Sequence, residues 1–281
     1  MFTLWAFKRY EPNPDLDGGF VSLGRPFSKY GIKYGTTTSL NEATALRFVA
    51  NKTSIRVPKV YCAFEYDSVK FILMERIDGI PIQEDWLDRP EAEREDMLQQ
   101  LKGYYEELRS IPHPRPGAIA AADMQALFDP RLLKGEYGFG PFAKEKDFNN
   151  YLRAGLDADA PILSYSGPDS WMTKDEQNDI LRMIAMQDNG GHKVCFSHGD
   201  PNPGNILVKG NKIVALIDFE LAGFYPEYWD YCKAMSVRSS WQFWETEVKW
   251  FLQEYPRELE MEQIRRKHFS PDGFRGEIEW E

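Results

Sequence analysis

Residues 197–223 read SHGDPNPGNILVKGNKIVALIDFELAG, and this stretch decides how the rest of the chain is read. Two short apolar runs, Ile206 to Val208 and Ile213 to Ile217, flank a turn centred on Gly210 and Asn211, the pattern of a buried hairpin. With a two-residue turn, position 209 pairs with 212. Asn205 then lies nearly opposite Leu216, and Asp218 emerges two residues further on at the same end. Asp200 sits just upstream, in a loop stiffened by Pro201 and Pro203 and turned by Gly204. Three oxygen-bearing side chains are thus expected at one mouth. A hard cation such as Mg²⁺ takes oxygen ligands and is held by one or two carboxylates plus substrate phosphates. Asn205 and Asp218 suffice for that, which leaves Asp200 for other work.

The surrounding composition narrows the class. With 281 residues, the chain is long enough for one large domain or two lobes around a cleft. Its 42% hydrophobic and 14% aromatic content is that of a protein with a sizeable core. Lys and Arg total 34 against 44 Asp and Glu, a net charge of −10 that repels nucleic acid and anionic membranes, so neither is expected as a partner. Three scattered cysteines, Cys62, Cys195 and Cys232, predict free thiols in a reducing compartment, the cytoplasm. No run of 18 apolar residues and no signal-like N-terminus is seen.

Outward from the hairpin, the chain changes character. SLNE matches a capping box, with Ser39 as N-cap and Glu42 at N3, and predicts a helix over roughly residues 40–51. KVYCAFE and VKFILME, joined by Tyr66, Asp67 and Ser68, predict an antiparallel hairpin. Met97, Leu98, Leu101, Tyr105 and Leu108 mark a long amphipathic helix. Trp241, Trp244, Val248, Phe251, Leu252 and Tyr255 predict a buried aromatic-rich helix near the C-terminus.

HGDPNPGN followed by LIDFELAG resembles the catalytic loop and metal-binding segment of aminoglycoside phosphotransferase and choline kinase relatives, and AGFYPEYWD resembles their fungal members. The resemblance implies an α/β, bilobal protein-kinase-like fold, with a small N-terminal sheet lobe over 1–76 and a larger helical lobe over 77–281. It implies Mg²⁺-dependent transfer of phosphate from ATP or GTP to the hydroxyl of a small molecule. In that scheme Asp200 accepts or orients the hydroxyl proton, and Asn205 and Asp218 hold the metal that bridges the nucleotide phosphates. Lys33 is similar to the phosphate-contacting lysine of such folds, Glu42 to its ion-pair partner, and Met74, Glu75, Arg76 and Ile77 to the hinge whose backbone faces adenine. Only GGFVSLG precedes Lys33 where relatives place a glycine-containing turn between two strands, so the N-terminal lobe is expected to be abbreviated.

Other readings compete at several positions. Glu42 is claimed both by the capping box and by Lys33; Lys29 rivals Lys33; and Asp230 reads as an anchor of the catalytic loop or as an exposed helix-start carboxylate. His198 reads as a residue that shapes the loop. His192, Cys195 and His198 lack a fourth ligand and alternate faces, which argues against zinc. A nucleotide-binding module that transfers nothing, of the pseudokinase kind, is the second functional reading.

Overall fold

The computed structural model describes residues 1–10, 17–160, 163, 172–236 and 238–271. The chain opens with helix α1 (Phe2–Tyr10) and strands β1 (Gly19–Ser22) and β2 (Tyr30–Gly35). Helix α2 (Asn41–Lys52) and the hairpin of β3 (Val60–Tyr66) and β4 (Val69–Glu75) follow. These strands form one antiparallel sheet in the order β1-β2-β4-β3. Asp67 and Ser68 both take positive φ, 54° and 61°, which gives the β3–β4 connection the primed two-residue turn that matches strand twist.

Alternation along β2 explains its two faces. Ile32 and Tyr34 point into a small apolar cluster with Phe71 and Leu73, covered by Ala6 and Phe7 of α1, so Lys33 projects from the opposite face toward α2. Ile72 and Met74 on that inner face join Ala43, Leu46 and Val49 of α2 in the main core, which continues past residue 76 into Phe196 and Phe224. Among the described residues one strand, β1, precedes the strand of Lys33, so the sheet is short on that side.

Beyond the sheet come β5 (Ile80–Pro81), α3 (Glu91–Ser110), α4 (Glu145–Leu152), α5 (Lys174–Asp188), β6 (Val194–Ser197), β7 (Ile206–Lys209), β8 (Lys212–Leu216), β9 (Gly223–Pro226), α6 (Trp229–Ala234), α7 (Trp244–Glu247) and α8 (Pro256–Phe269). The expected amphipathic helix is α3, with Met97, Leu98, Leu101, Tyr105 and Leu108 buried. β5 adds to the β7–β8 hairpin, and β6 pairs with β9.

Three expectations are corrected. The β7–β8 register slips at a bulge: Lys209 pairs with Lys212 and Val208 with Ile213, but Leu207 pairs with Ala215 and Ile206 with Leu216. Val214 is therefore the extra residue, and Asn205 meets Ile217, whose amide donates to the Asn205 carbonyl at 3.0 Å, rather than Leu216. The capping box at Ser39 does not form. Leu40 is the N-cap without a side-chain bond, and Ser39 Oγ accepts from the Asn41 amide, because Glu42 is drawn across to Lys33. A true capping box stands instead at Thr173 and Glu176, starting α5. The aromatic segment 241–255 is not one helix. It breaks into short turns around α7, since Trp, Phe, Thr and Val are modest helix formers and Trp244 is pinned elsewhere by its indole N–H, which donates to Pro201 O at 3.0 Å.

Candidate active site

The loop between β6 and β7 is held rigid from three sides. Asp230, buried at the start of α6, accepts the amides of His198 (3.2 Å) and Gly199 (2.8 Å), so the anchoring role is the one realised. Burial raises its pKa, and those two amides partly offset the shift. His198 lies between strands: its Nε2 donates to Ile217 O at 3.0 Å, and its Nδ1 accepts from the Asp200 amide at 3.3 Å. Gly199 has φ of 81°, and any Cβ there would collide with the Leu221 carbonyl, so this position requires glycine.

This frame presents the Asp200 carboxylate with most of its acceptor capacity filled. Oδ2 accepts from Asn202 Nδ2 (2.7 Å) and Asn205 Nδ2 (3.1 Å), and Oδ1 accepts from Arg131 Nη1 (2.9 Å). A carboxylate has about four lone-pair sites, so these three bonds fix its orientation and leave room for one more donor. Arg131 is itself clamped by buried Asp129 through two bonds, at 2.8 and 2.9 Å, and donates to Gly199 O at 2.7 Å. Burial works against the charge on both partners, but their mutual attraction wins, lowering the Asp129 pKa and raising that of Arg131.

Asp218 follows β8 with a left-handed backbone, φ 62°, a strained conformation for a non-glycine residue that turns its carboxylate toward the sheet. There, Lys33 Nζ lies 2.7 Å from Asp218 Oδ1, 2.8 Å from Glu42 Oε2 and 3.0 Å from Glu220 Oε2. Burial alone would lower the pKa of Lys33, but the three carboxylates overcome it, and the ammonium is held charged. Glu42 and Glu220 shift upward, by burial first and by the repulsion of Asp218, with Lys33 opposing.

The structure thus separates the expected residues into two neighbouring groups. Asn205 turns its amide nitrogen to Asp200, whereas Asp218 joins Lys33, Glu42 and Glu220. Carboxylate oxygens of Glu42, Asp218 and Glu220 lie within 4.8 Å of one another. An all-oxygen set of three carboxyl groups around one ammonium suits a hard divalent cation such as Mg²⁺, so these residues fit that ion. Lys29 is elsewhere, its ammonium 5.2 Å from the centre of the Tyr30 ring. The segment expected to be the hinge is partly engaged within the protein. The Glu75 amide already donates to Lys59 O (2.8 Å) and the Arg76 amide to Lys29 O (2.9 Å), while Met74 is paired on both sides within the sheet. Of the hinge amides past Met74, only that of Ile77 is unspent among the described residues.

Sequence reasoning missed Glu220, Arg131, Asp129 and Asn202 as parts of this site. Glu220 was legible, since it is the acidic residue two positions past Asp218 in LIDFELAG. Arg131 was not, because 69 residues separate it from the aspartate it touches.

The model of the APH phosphotransferase enzyme family matches residues 35–266, beginning just after Lys33. No curated protein sequence matches the chain. Solved structures match over most of their length. A thermostable variant of aminoglycoside phosphotransferase APH(4)-Ia, in ternary complex with ADP and hygromycin B, superposes with a TM-score of 0.63 at 14% identity, covering 94% of this chain and 88% of that one. The streptomycin–ATP ternary complex of APH(2")-IIa gives 0.56 at 17% identity, covering 93% and 84%. ADP-bound APH(2'')-Ib gives 0.57 at 17% identity, covering 88% and 78%. At such identities the likeness is one of fold, mixed α/β and protein-kinase-like. The match of the family model across most of the sequence establishes that this chain belongs to the APH phosphotransferase enzyme family.

Proposed function

We propose that the protein is a small-molecule kinase that transfers the γ-phosphoryl group of ATP, with GTP as the alternative donor, to an alcohol. The observation that carries this reading is the Asp200 carboxylate, fixed by three donors with one acceptor position left, beside a cluster of three carboxylates around Lys33.

Each residue has a task in such a reaction. Asp200 receives the proton of the attacking hydroxyl as the oxygen–phosphorus bond forms. Asp218, with Glu220 beside it, would hold Mg²⁺, and Asn205 would offer its amide oxygen, since both of its donated bonds come from Nδ2. Magnesium, when bound, neutralises phosphate charge. Lys33, steadied by Glu42, contacts the donor phosphates, and the Ile77 amide faces the adenine edge. The division into lobes over 1–76 and 77–281 belongs to this reading, with the nucleotide lying between the sheet and the β7–β8 hairpin. Phosphoryl transfer needs positioning and charge neutralisation more than covalent help, which such an arrangement supplies. Three free cysteines fit a reducing compartment, the cytoplasm, and no helix among the described residues is long and apolar enough to cross a membrane.

The second reading is a binding module without transfer, favoured by β1 being the one strand ahead of β2 among the described residues. Asp200→Ala separates the two. As a kinase, the variant loses turnover by roughly 10³-fold or more, scaled to loss of a general base and its positioning, while nucleotide affinity changes only a few-fold. Measured ADP release equal to that of the wild type removes Asp200 from the chemistry; nucleotide binding with no turnover in the wild type itself favours the binding module.

A further inference from the structure

A cavity of about 560 Å³ borders Arg131, between the 130–131 turn, the end of α6 and α8. Its charged lining is Arg131, Lys233, Arg265, Arg266 and Lys267, with no carboxylate among the described residues that line it. In a chain of net charge −10, five cations around one cavity run against the composition.

The burial of these cations sharpens the point. The side chains of Lys233 and Arg265 are 3% and 1% exposed, and both lean on one carboxylate: Lys233 Nζ at 2.8 Å and Arg265 Nε at 2.7 Å from Glu262. Buried charge is tolerated when it is paired, and here two cations share one anion. Arg266 has no ion pair among the described residues, and Lys267 reaches only Asp179, at 3.2 Å. A guanidinium has five N–H groups; Arg131 spends four on Asp129, Gly199 and Asp200, which leaves one on Nη1, the same nitrogen that touches Asp200. An anion in this cavity would therefore sit one guanidinium away from the carboxylate that receives the proton.

We propose that the alcohol phosphorylated at Asp200 carries a phosphate or carboxylate group, which the cavity seats on Arg131, Lys233, Arg265 and Arg266. The inference rests on the phosphotransferase reading and names its acceptor class. In the step itself, the acceptor O–H breaks and its proton passes to Asp200. The acceptor oxygen bonds to the γ-phosphorus of ATP, and the bond from that phosphorus to the β-phosphate bridging oxygen breaks to leave ADP. An amine-rich acceptor would bring like charge against the same five side chains, which selects against it.

The test uses the full chain without nucleotide, titrated with inorganic phosphate and with glycerol 3-phosphate at constant ionic strength and followed by calorimetry and thermal unfolding. Saturable binding with a rise in Tm of a few degrees is expected. The exposed pair R266E/K267E should weaken it at least tenfold, both in the otherwise wild-type chain and on a Lys33→Ala background, which removes the donor-phosphate contact. Absence of saturable binding, or loss in Lys33→Ala with retention in R266E/K267E, overturns the proposal by removing the anion from this cavity. A chain ended at Pro271 that binds phosphate more than tenfold tighter would assign the cavity to the protein's own acidic tail, Glu277, Glu279 and Glu281, and overturn it too. ADP formation is then measured with anionic alcohols and with hygromycin B. Turnover with the former supports the proposal, and turnover with hygromycin B alone overturns the acceptor class. Phosphate binding with no ADP from any alcohol removes the phosphotransferase reading and the acceptor with it.

Discussion

One ion cluster acts electrostatically on Asp200 and a second on its partner Arg131, and the two are built with opposite signs. Beside the N-terminal sheet, one ammonium, Lys33, is surrounded by Glu42, Asp218 and Glu220. On the other side, one carboxylate, Glu262, is shared by Lys233 and Arg265. The first has an excess of negative charge and is partly open, with Asp218 35% exposed. The second has an excess of positive charge and is largely buried, Lys233 and Arg265 reaching open space at the cavity beside Arg131. The difference teaches where each cluster draws its stability. The open cluster can take up a cation from solution, whereas the buried one is held by a single internal anion and meets solvent at the cavity beside Arg131.

The largest expected effect follows from breaking the buried cluster. Glu262→Ala strands two buried cations and should cost about 3–5 kcal/mol, as removal of one partner from a buried pair does. Chemical denaturation of the variant would read this directly, and a loss under about 1 kcal/mol would show that the two cations do not depend on Glu262. Replacing Glu262, Lys233 and Arg265 together by apolar residues of similar volume should restore most of the loss, which would distinguish stranded charge from lost packing.

How much of this was legible in the sequence differs between the clusters for a physical reason. The hairpin that carries Asn205 and Asp218 is a local motif: strand runs, a turn with Gly210 at φ 60°, and fixed spacing place both residues at one end. Even there, the Val214 bulge shifted the pairing by one residue, because a bulge leaves no mark in an apolar run. The partner of Glu42 was ambiguous, since the S-x-x-E spacing and a lysine on the neighbouring strand both offered one; only the packed position of α2 decides for Lys33. The contact of Arg131 with Asp200, and the convergence of α6 and α8 on Glu262, depend on long-range packing with no local signature. The aromatic segment before α8 misled because its apolar spacing was helical while its side chains anchor in separate places, as the Trp244 bond to Pro201 shows.

Titration sharpens the comparison with smaller effects. Burial pushes the Glu262 carboxyl up, but Arg265 and Lys233 more than compensate and hold it at about 2, below its ordinary 4.5. A depressed carboxyl contributes stability that is complete above its unfolded value and is lost as pH falls through the folded one, so Tm should decline between about 4.5 and 2. His192 acts on the other flank. It bonds Glu145 (2.7 Å) and Glu258 (3.3 Å), tying α4 to α8, and the Glu145 bond raises its pKa above the ordinary 6.5 despite burial. Its contribution is present below 6.5 and lost as pH rises through the raised value. In Glu262→Gln the acid-side decline should flatten while the alkaline side stays as in the wild type; an unchanged acid limb would remove Glu262 from that role.

The most direct test of the central claim is the affinity for ATP with and without Mg²⁺, measured by calorimetry on the wild type and on Asp218→Asn. The account predicts that magnesium tightens binding in the wild type by at least tenfold and that the variant loses most of that gain while keeping its magnesium-free affinity. Equal gain from magnesium in both proteins would show that Asp218 does not hold the metal, and with that the proposed nucleotide site would fall.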